Sequence, residues 1–318
     1  MQPVRQAIEE IENSKLPKDA ILFFLNNAKT VPSHDFDHAY KVSLTALESA
    51  AKSGFRGTKL QDLFISSMFH DIIRTSRAVT DTESEVASAK LATVFCRQHA
   101  IDKHRTNFIQ QMIVNPSGTK IGMHLDFADA AHFLLESRIQ AFARESTQLR
   151  EMESKKVAEL YVQKFGGMVK NLPPDMRKRL DLIARKVLGK TGTALLLGKL
   201  SFNLENPTAK IKEVPSFSSK ERRNATFDSL SSLALQHAKS DPNFSKQILV
   251  RLNDKRFWSQ YDVRDVSFMD AKLKNLNKIL GRMRQTPKIL SAKLATRLAH
   301  EHNEQKMKFR RRMTPQAK

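Results

Sequence analysis

The sequence predicts an all-α protein, and three observations carry that expectation. Apolar residues recur at three- and four-residue spacing along most of the chain, the period of one helix face. Runs rich in β-branched and aromatic residues are few, and no alternating strand–turn–strand pattern repeats. Turn-forming residues fall between the periodic segments rather than inside them.

In the first part of the chain, helices are expected at about 3–14, 17–27, 38–53, 58–73, 82–99, 103–114 and 122–142. Val31-Pro32-Ser33 breaks the chain before the third helix and Ser53-Gly54 ends it. Asn115-Pro116-Ser117-Gly118 makes a turn before the last. Asp81 is placed to cap its helix, with Glu83 and Glu85 in the first turns, where the helix dipole favours negative charge. A further helix is expected through Leu149 and Tyr161 to Phe165, stopped by Gly166-Gly167, and another from Asp175 to about Leu188. Residues 203–219 hold Pro207, Pro215 and several serines with little periodicity and read as a linker. Helices at about 220–239, 243–253, 266–284 and 288–310 follow, ending in a basic tail from Lys306 to Arg312.

The chain has 318 residues, 40% of them hydrophobic, which is enough to bury a real core. A lone cysteine, Cys96, excludes an internal disulfide framework and fits a reducing compartment; with no activating partner evident in the sequence, it reads as a buried small hydrophobe. The N-terminus lacks the apolar run of a secretory signal, and no stretch approaches the roughly 20 apolar residues of a membrane span. Together these point to a cytoplasmic protein with no transmembrane segment. The formal net charge is +21, and it is unevenly placed. Residues 1–145 hold 17 Lys/Arg and 17 Asp/Glu, whereas residues 146–318 hold 37 and 16. The expected organisation is therefore a neutral domain at 1–145, a helical extension at 146–202, a linker at 203–219 and a basic helical C-terminal region at 220–318.

Three segments place His or Asp on otherwise apolar stretches: His34 to Val42, Met68 to Arg74, and Leu125 to His132. Phe69, Ile72 and Ile73 mark the His70 segment as core. An Asp buried there costs several kcal/mol unless it is paired or bound to a cation. Asp71 follows His70 directly, so on a helix the two side chains would leave about 100° apart. Imidazole nitrogens with carboxylates suit Mn, Fe, Co, Ni, Zn or Mg and leave room for water and phosphate. Such an ion activates water and offsets charge on a phosphoryl oxygen.

The order His38, His70-Asp71, Asp129 resembles the signature of the HD superfamily of metal-dependent phosphohydrolases. The local text is similar as well. His38-Ala-Tyr-Lys-Val42 looks like the first ligand helix, Phe69-His70-Asp71-Ile72 like the defining dyad, Glu85-Val-Ala-Ser88-Ala89 like the helix that follows, and Phe127-Ala128-Asp129 like the closing Ala-Asp. The ligand spacings are 32 residues from His38 to His70 and 58 from Asp71 to Asp129. The resemblance spans about residues 20–145 and implies an HD-type helical bundle. It makes His38, His70, Asp71 and Asp129 the ligands of a divalent metal, with Asp71 catalytic as well. It makes Arg74 a catalytic and phosphate-binding residue, helped by Lys41, and Glu85 a catalytic residue that orients water or substrate. Asp126, one turn away, is the alternative to Asp129. His34 and His132 are taken as supporting or surface residues, and Asp35 and Asp37 as helix caps. Asn115-Pro116 stands where two-metal members often carry another histidine, which points to one tightly held metal.

The implied activity is hydrolysis of a phosphate ester of a nucleotide or related small phosphorylated metabolite. The alternative is a catalytically degenerate scaffold whose basic half binds RNA, DNA or another polyanion. Lys and Arg recur through that half, whereas aromatic residues able to stack on bases are few: Phe257, Trp258 and Tyr261. Residues 184–191 loosely match a phosphate-binding loop, but the preceding Met176–Leu188 reads as a basic amphipathic helix rather than a strand, so nucleotide binding there is not expected.

Overall fold

A computed structural model describes residues 2–30, 34–74, 81–134, 165–166, 168–188, 219–259 and 267–285. Helices dominate them, as an all-α chain requires. The chain divides into two compact units, Met1–Phe217 and Ser218–Lys318.

In the first unit, helices α1 (Gln2–Asn13), α2 (Lys15–Asn27), α3 (Phe36–Lys52), α4 (Thr58–Phe69), α5 (Asp81–Gln98), α6 (Lys103–Val114), α7 (Met123–Phe133) and α8 (Pro174–Leu188) are the main elements. Helix α3 is the hub and packs on α1, α4 and α7. Its start is fixed by Asp35, whose side chain accepts the His38 backbone N–H at 3.1 Å. Helix α1 is tied to it by Tyr40, whose hydroxyl donates to Glu12 at 2.9 Å inside the core. The centre is aromatic. Phe23, Phe69 and Phe95 meet with ring centroids 5.1 to 5.5 Å apart, at tilted or edge-on angles. Buried Asp62 on α4 is held by Arg105 on α6, with Nη2–Oδ1 at 2.6 Å and Nε–Oδ1 at 3.1 Å, which joins those helices and compensates a carboxylate that would be costly to bury alone.

The expected helix over 58–73 is shorter. Helix α4 ends at Phe69, and the chain turns through His70–Ile72, the Ile72 N–H bonding the Phe69 carbonyl at 3.2 Å. It then forms a two-residue strand, β2 (Ile73–Arg74), paired in parallel with β1 (Lys29–Thr30). Two further bonds hold the turn: Lys29 N–H to the Ile72 carbonyl at 2.9 Å, and Ile73 N–H to the buried Ser88 hydroxyl at 3.1 Å. The His-Asp dyad therefore sits past a helix terminus and not within a helix. Helix α5 begins with Asp81 itself rather than using it as a cap.

Helix α8 continues the packing beyond residue 145. Leu172, Met176, Leu180 and Ile183 are buried. Arg179 lies over the Phe127 ring at 4.4 Å and donates to Ser49 at 3.3 Å, which docks α8 on α7 and α3. It is a helix through Leu188, as its basic periodicity predicts, while residues 189–191 of the loose phosphate-loop match lie outside the described residues. The expected linker at 203–219, apart from Ser219, the helices at 145–164 and 288–310 and the basic tail also lie outside them.

The second unit contains α9 (Ser219–His237), α10 (Pro242–Leu252), α11 (Lys255–Ser259) and α12 (Ser267–Gln285). Asp241 caps α10 by accepting the Phe244 N–H at 3.0 Å, with Pro242 at the first position. Phe227, Leu230, Phe244, Ile248, Leu276 and Leu280 are buried. Trp258 is buried too, its indole N–H donating to the Leu252 carbonyl at 2.8 Å, so it serves the core and is not a platform for bases. No helix among the described residues is long and apolar enough to cross a membrane.

Candidate metal centre

The three segments singled out by sequence meet at one end of the α3–α7 pair. The α3 start supplies His38, the α4–β2 turn supplies His70 and Asp71, and α7 supplies Asp129. His38 Nε2 lies 3.7 Å from Asp71 Oδ2 and 3.5 Å from Asp129 Oδ1. His70 Nε2 lies 3.1 Å from Asp71 Oδ2 and 3.9 Å from Asp129 Oδ1. Donors each about 2.1 Å from one ion would be about 3.0 Å apart in an octahedral arrangement and about 3.4 Å in a tetrahedral one. Three of the separations fall within about 0.3 Å of that range, and His70 Nε2 to Asp129 Oδ1, at 3.9 Å, is about 0.5 Å beyond it.

His70 gives the sharpest local test of fit. Its Nδ1 donates to the Ser67 carbonyl at 2.7 Å, which fixes the tautomer and turns the Nε2 lone pair toward the cluster. That Nε2 is buried and makes no hydrogen bond, although Asp71 is close. A buried acceptor so oriented costs free energy unless a cation or proton meets it. Without an ion, a proton fills the role. Burial works to lower the His70 pKa, but the charges of Asp71 and Asp129 outweigh it and push it up to about 9. Burial likewise works to raise Asp71, and the charges of His70, His34 and Arg74 override it, holding its carboxyl well below the usual range. His38, His70 and Asp71 offer ligand atoms that all lie within 4.8 Å of one another and could hold a metal ion; Asp129 lies beside them but outside that set.

Arg74 stands on β2 rather than one helical turn below His70. Its Nη1 still reaches to 3.6 Å from Asp71 Oδ1, and the residue is buried. Asp126 stands one turn back from Asp129 and accepts the Ser117 backbone N–H. Burial, with the charges of Asp129 and Glu85, pushes its carboxyl up to about 7. Glu85 on α5 thus faces the same end of the bundle as Asp126. Of the two α7 carboxylates, Asp129 and not Asp126 lies within 4 Å of both His38 and His70. Lys41 engages Asp37 at 2.7 Å instead of Asp71 or Asp129.

Two histidines set aside in the sequence lie against the cluster. His132 is buried with its ring 5.9 Å from that of His38. His34 Nε2 lies 3.5 Å from Asp71 Oδ2. The His132 spacing was legible, three residues after Asp129 on the same face of α7, whereas His34 lies before the α3 cap, where helical spacing gives no such signal.

No family model, curated protein or solved structure matches this chain.

Proposed function

We propose that this chain is a metal-dependent phosphohydrolase acting on a phosphate ester of a nucleotide or related small phosphorylated metabolite. The observation that carries this reading is that two imidazole nitrogens, His38 Nε2 and the buried His70 Nε2, each lie 3.1 to 3.9 Å from the carboxylates of Asp71 and Asp129, four groups drawn from three separated segments. The motif resemblance to HD phosphohydrolases supports it further. A divalent ion held there would supply Lewis acidity toward water and a phosphoryl oxygen. The residues do the positioning. Ser67 orients His70, Asp35 fixes the start of the His38 helix, and the Ser88 bond to Ile73 secures the turn after Asp71. Arg74 places a guanidinium, a planar donor suited to phosphate oxygens, beside the cluster. Glu85 and Asp126 add carboxyl groups that can orient water or a leaving group.

The test is a phosphatase screen over nucleotides and phosphorylated metabolites with Mn, Co, Ni and Mg, alongside elemental analysis. His70→Ala and Asp71→Ala should each remove bound metal and lower turnover by about a hundredfold or more. If no preparation holds a divalent ion and both variants keep wild-type activity on every substrate found, the reading is wrong.

A second reading, polyanion binding by the basic half, is favoured by α12. From Ala271 to Gln285 it carries five Lys/Arg and no acidic residue. Lys274 and Lys278 are exposed one turn apart, while Lys272 engages Asp228 at 3.1 Å. Like charges at that spacing repel, so a phosphate backbone laid along them would relieve a cost. The two readings are compatible in one chain. Activity of His70→Ala tests the first, and binding of that same variant to a nucleic acid tests the second.

A further inference from the structure

Asp71 is set apart from the other donors by how many groups converge on it. Its Oδ2 faces three imidazoles, His70 Nε2 at 3.1 Å, His34 Nε2 at 3.5 Å and His38 Nε2 at 3.7 Å, while Oδ1 faces Arg74 Nη1 at 3.6 Å. His38, His70 and Asp71 offer donor atoms that all lie within 4.8 Å of one another; neither His34 nor Asp129 is in that set, but Asp129 Oδ1 comes within 4 Å of both His38 and His70, whereas His34 is placed against Asp71. His34 Nε2 reaches the same carboxylate oxygen that His38 and His70 face. The backbone holds it there. Asp35 caps α3 and His34 immediately precedes that cap, its ring edge to face with that of His38 with centroids 5.7 Å apart. The His34 side chain is 12% exposed and that of Asp71 9%, so the contact is largely shielded from water.

We infer that His34 is a positioning residue for Asp71: its ring N–H donates to the carboxylate that serves the metal and so sets how tightly the site holds its ion. This rests on the metal-site reading above. A carboxylate has about four lone-pair directions and a metal takes one or two. A donor on a remaining direction locks the rotamer and removes a competing orientation toward Arg74. Groups that orient a ligand in this way change metal affinity about 10- to 100-fold when lost.

The experiment compares metal-free full-length protein, His34→Ala and His34→Gln by calorimetric titration with Mn, and by the visible absorption of the Co-loaded forms. Gln keeps an N–H donor at similar reach. The expected result is one Mn site in all three, affinity weakened about 10- to 100-fold in His34→Ala and largely recovered in His34→Gln, with the Co bands where the wild type has them. If His34→Ala binds Mn as the wild type does, the inference is overturned while the metal site stands. If Gln fails to rescue and the Co bands shift, His34 is a direct ligand and the positioning role is overturned. If the wild type itself takes up no Mn, Co or other divalent ion, the metal-site reading falls and this inference with it.

Discussion

At the scale of single residues, the site separates two carboxylates one turn apart on α7. Asp129 Oδ1 is 3.5 Å from His38 Nε2, whereas Asp126 lies among Asp129, Glu85 and the Ser117 N–H. Asp129→Asn should therefore weaken divalent-metal binding about a hundredfold or more, and Asp126→Asn by no more than a few-fold, in direct titrations. Equal losses would mean that both carboxylates bind the ion. His124 offers a pH test away from the cluster. Burial and the nearby Arg179 charge push its pKa down to about 4, against about 6.5 in the unfolded chain. The unfolded chain takes the proton first. The stability from a neutral His124 is thus complete above about pH 6.5 and is lost as pH falls toward 4, by at most on the order of 3 kcal/mol. Urea melts of the wild type and His124→Gln at pH 7.5, 6 and 5 should converge on acidification. Parallel slopes would show that His124 does not govern this range. The residue types that the cluster gathers were plain in the sequence because His and Asp are costly on apolar helices. The choice between Asp126 and Asp129 was not, since both share a helical face and the side that meets His38 is set by how α7 packs.

At the scale of elements, the dyad's position past the end of α4 is the main departure from the sequence-based expectation. Met68 to Arg74 is apolar enough to continue a helix, and nothing local stops it. What ends it is remote: the β1–β2 pairing across 44 residues, Lys29 with Ile73, and the Ser88 hydroxyl on α5. Helix propensity is a weak prior, and such tertiary contacts override it. The register of the dyad then depends on Phe69, fully buried immediately before it. Phe69→Ala should cost about 3–5 kcal/mol in equilibrium unfolding. Ser88→Ala should cost about 1–3 kcal/mol and weaken metal binding more than its distance from the ion implies, because the Ile73 N–H loses its partner. Unchanged metal affinity in Ser88→Ala would show that β1–β2 alone holds the turn. The Arg105–Asp62 pair was also invisible in the sequence, where 43 residues separate two ordinary surface residue types.

At the scale of the whole molecule, charge and chemistry are segregated. The cluster sits in the Met1–Phe217 unit, and residues 218–318 carry 23 Lys/Arg against 9 Asp/Glu. Composition made this asymmetry legible without any structure. It did not reveal that Trp258 is buried in the core, so that under the proposed polyanion reading any binding would rest mainly on phosphate contacts. Binding of the full chain to duplex and single-stranded DNA should therefore be insensitive to sequence and fall by about tenfold or more between 50 and 200 mM salt. Salt-independent affinity would remove the polyanion reading.

The donors at residues 38, 70, 71 and 129 lie on segments with long stretches of chain between them. A bound ion would act as a staple across those stretches, present only in the folded state. At a free concentration about a thousandfold above its dissociation constant, it would add about 4 kcal/mol to the folded form and raise the melting temperature by roughly 8–16 °C. Heat resistance would then rank candidate ions before any substrate is known, with a chelator as the zero of the scale.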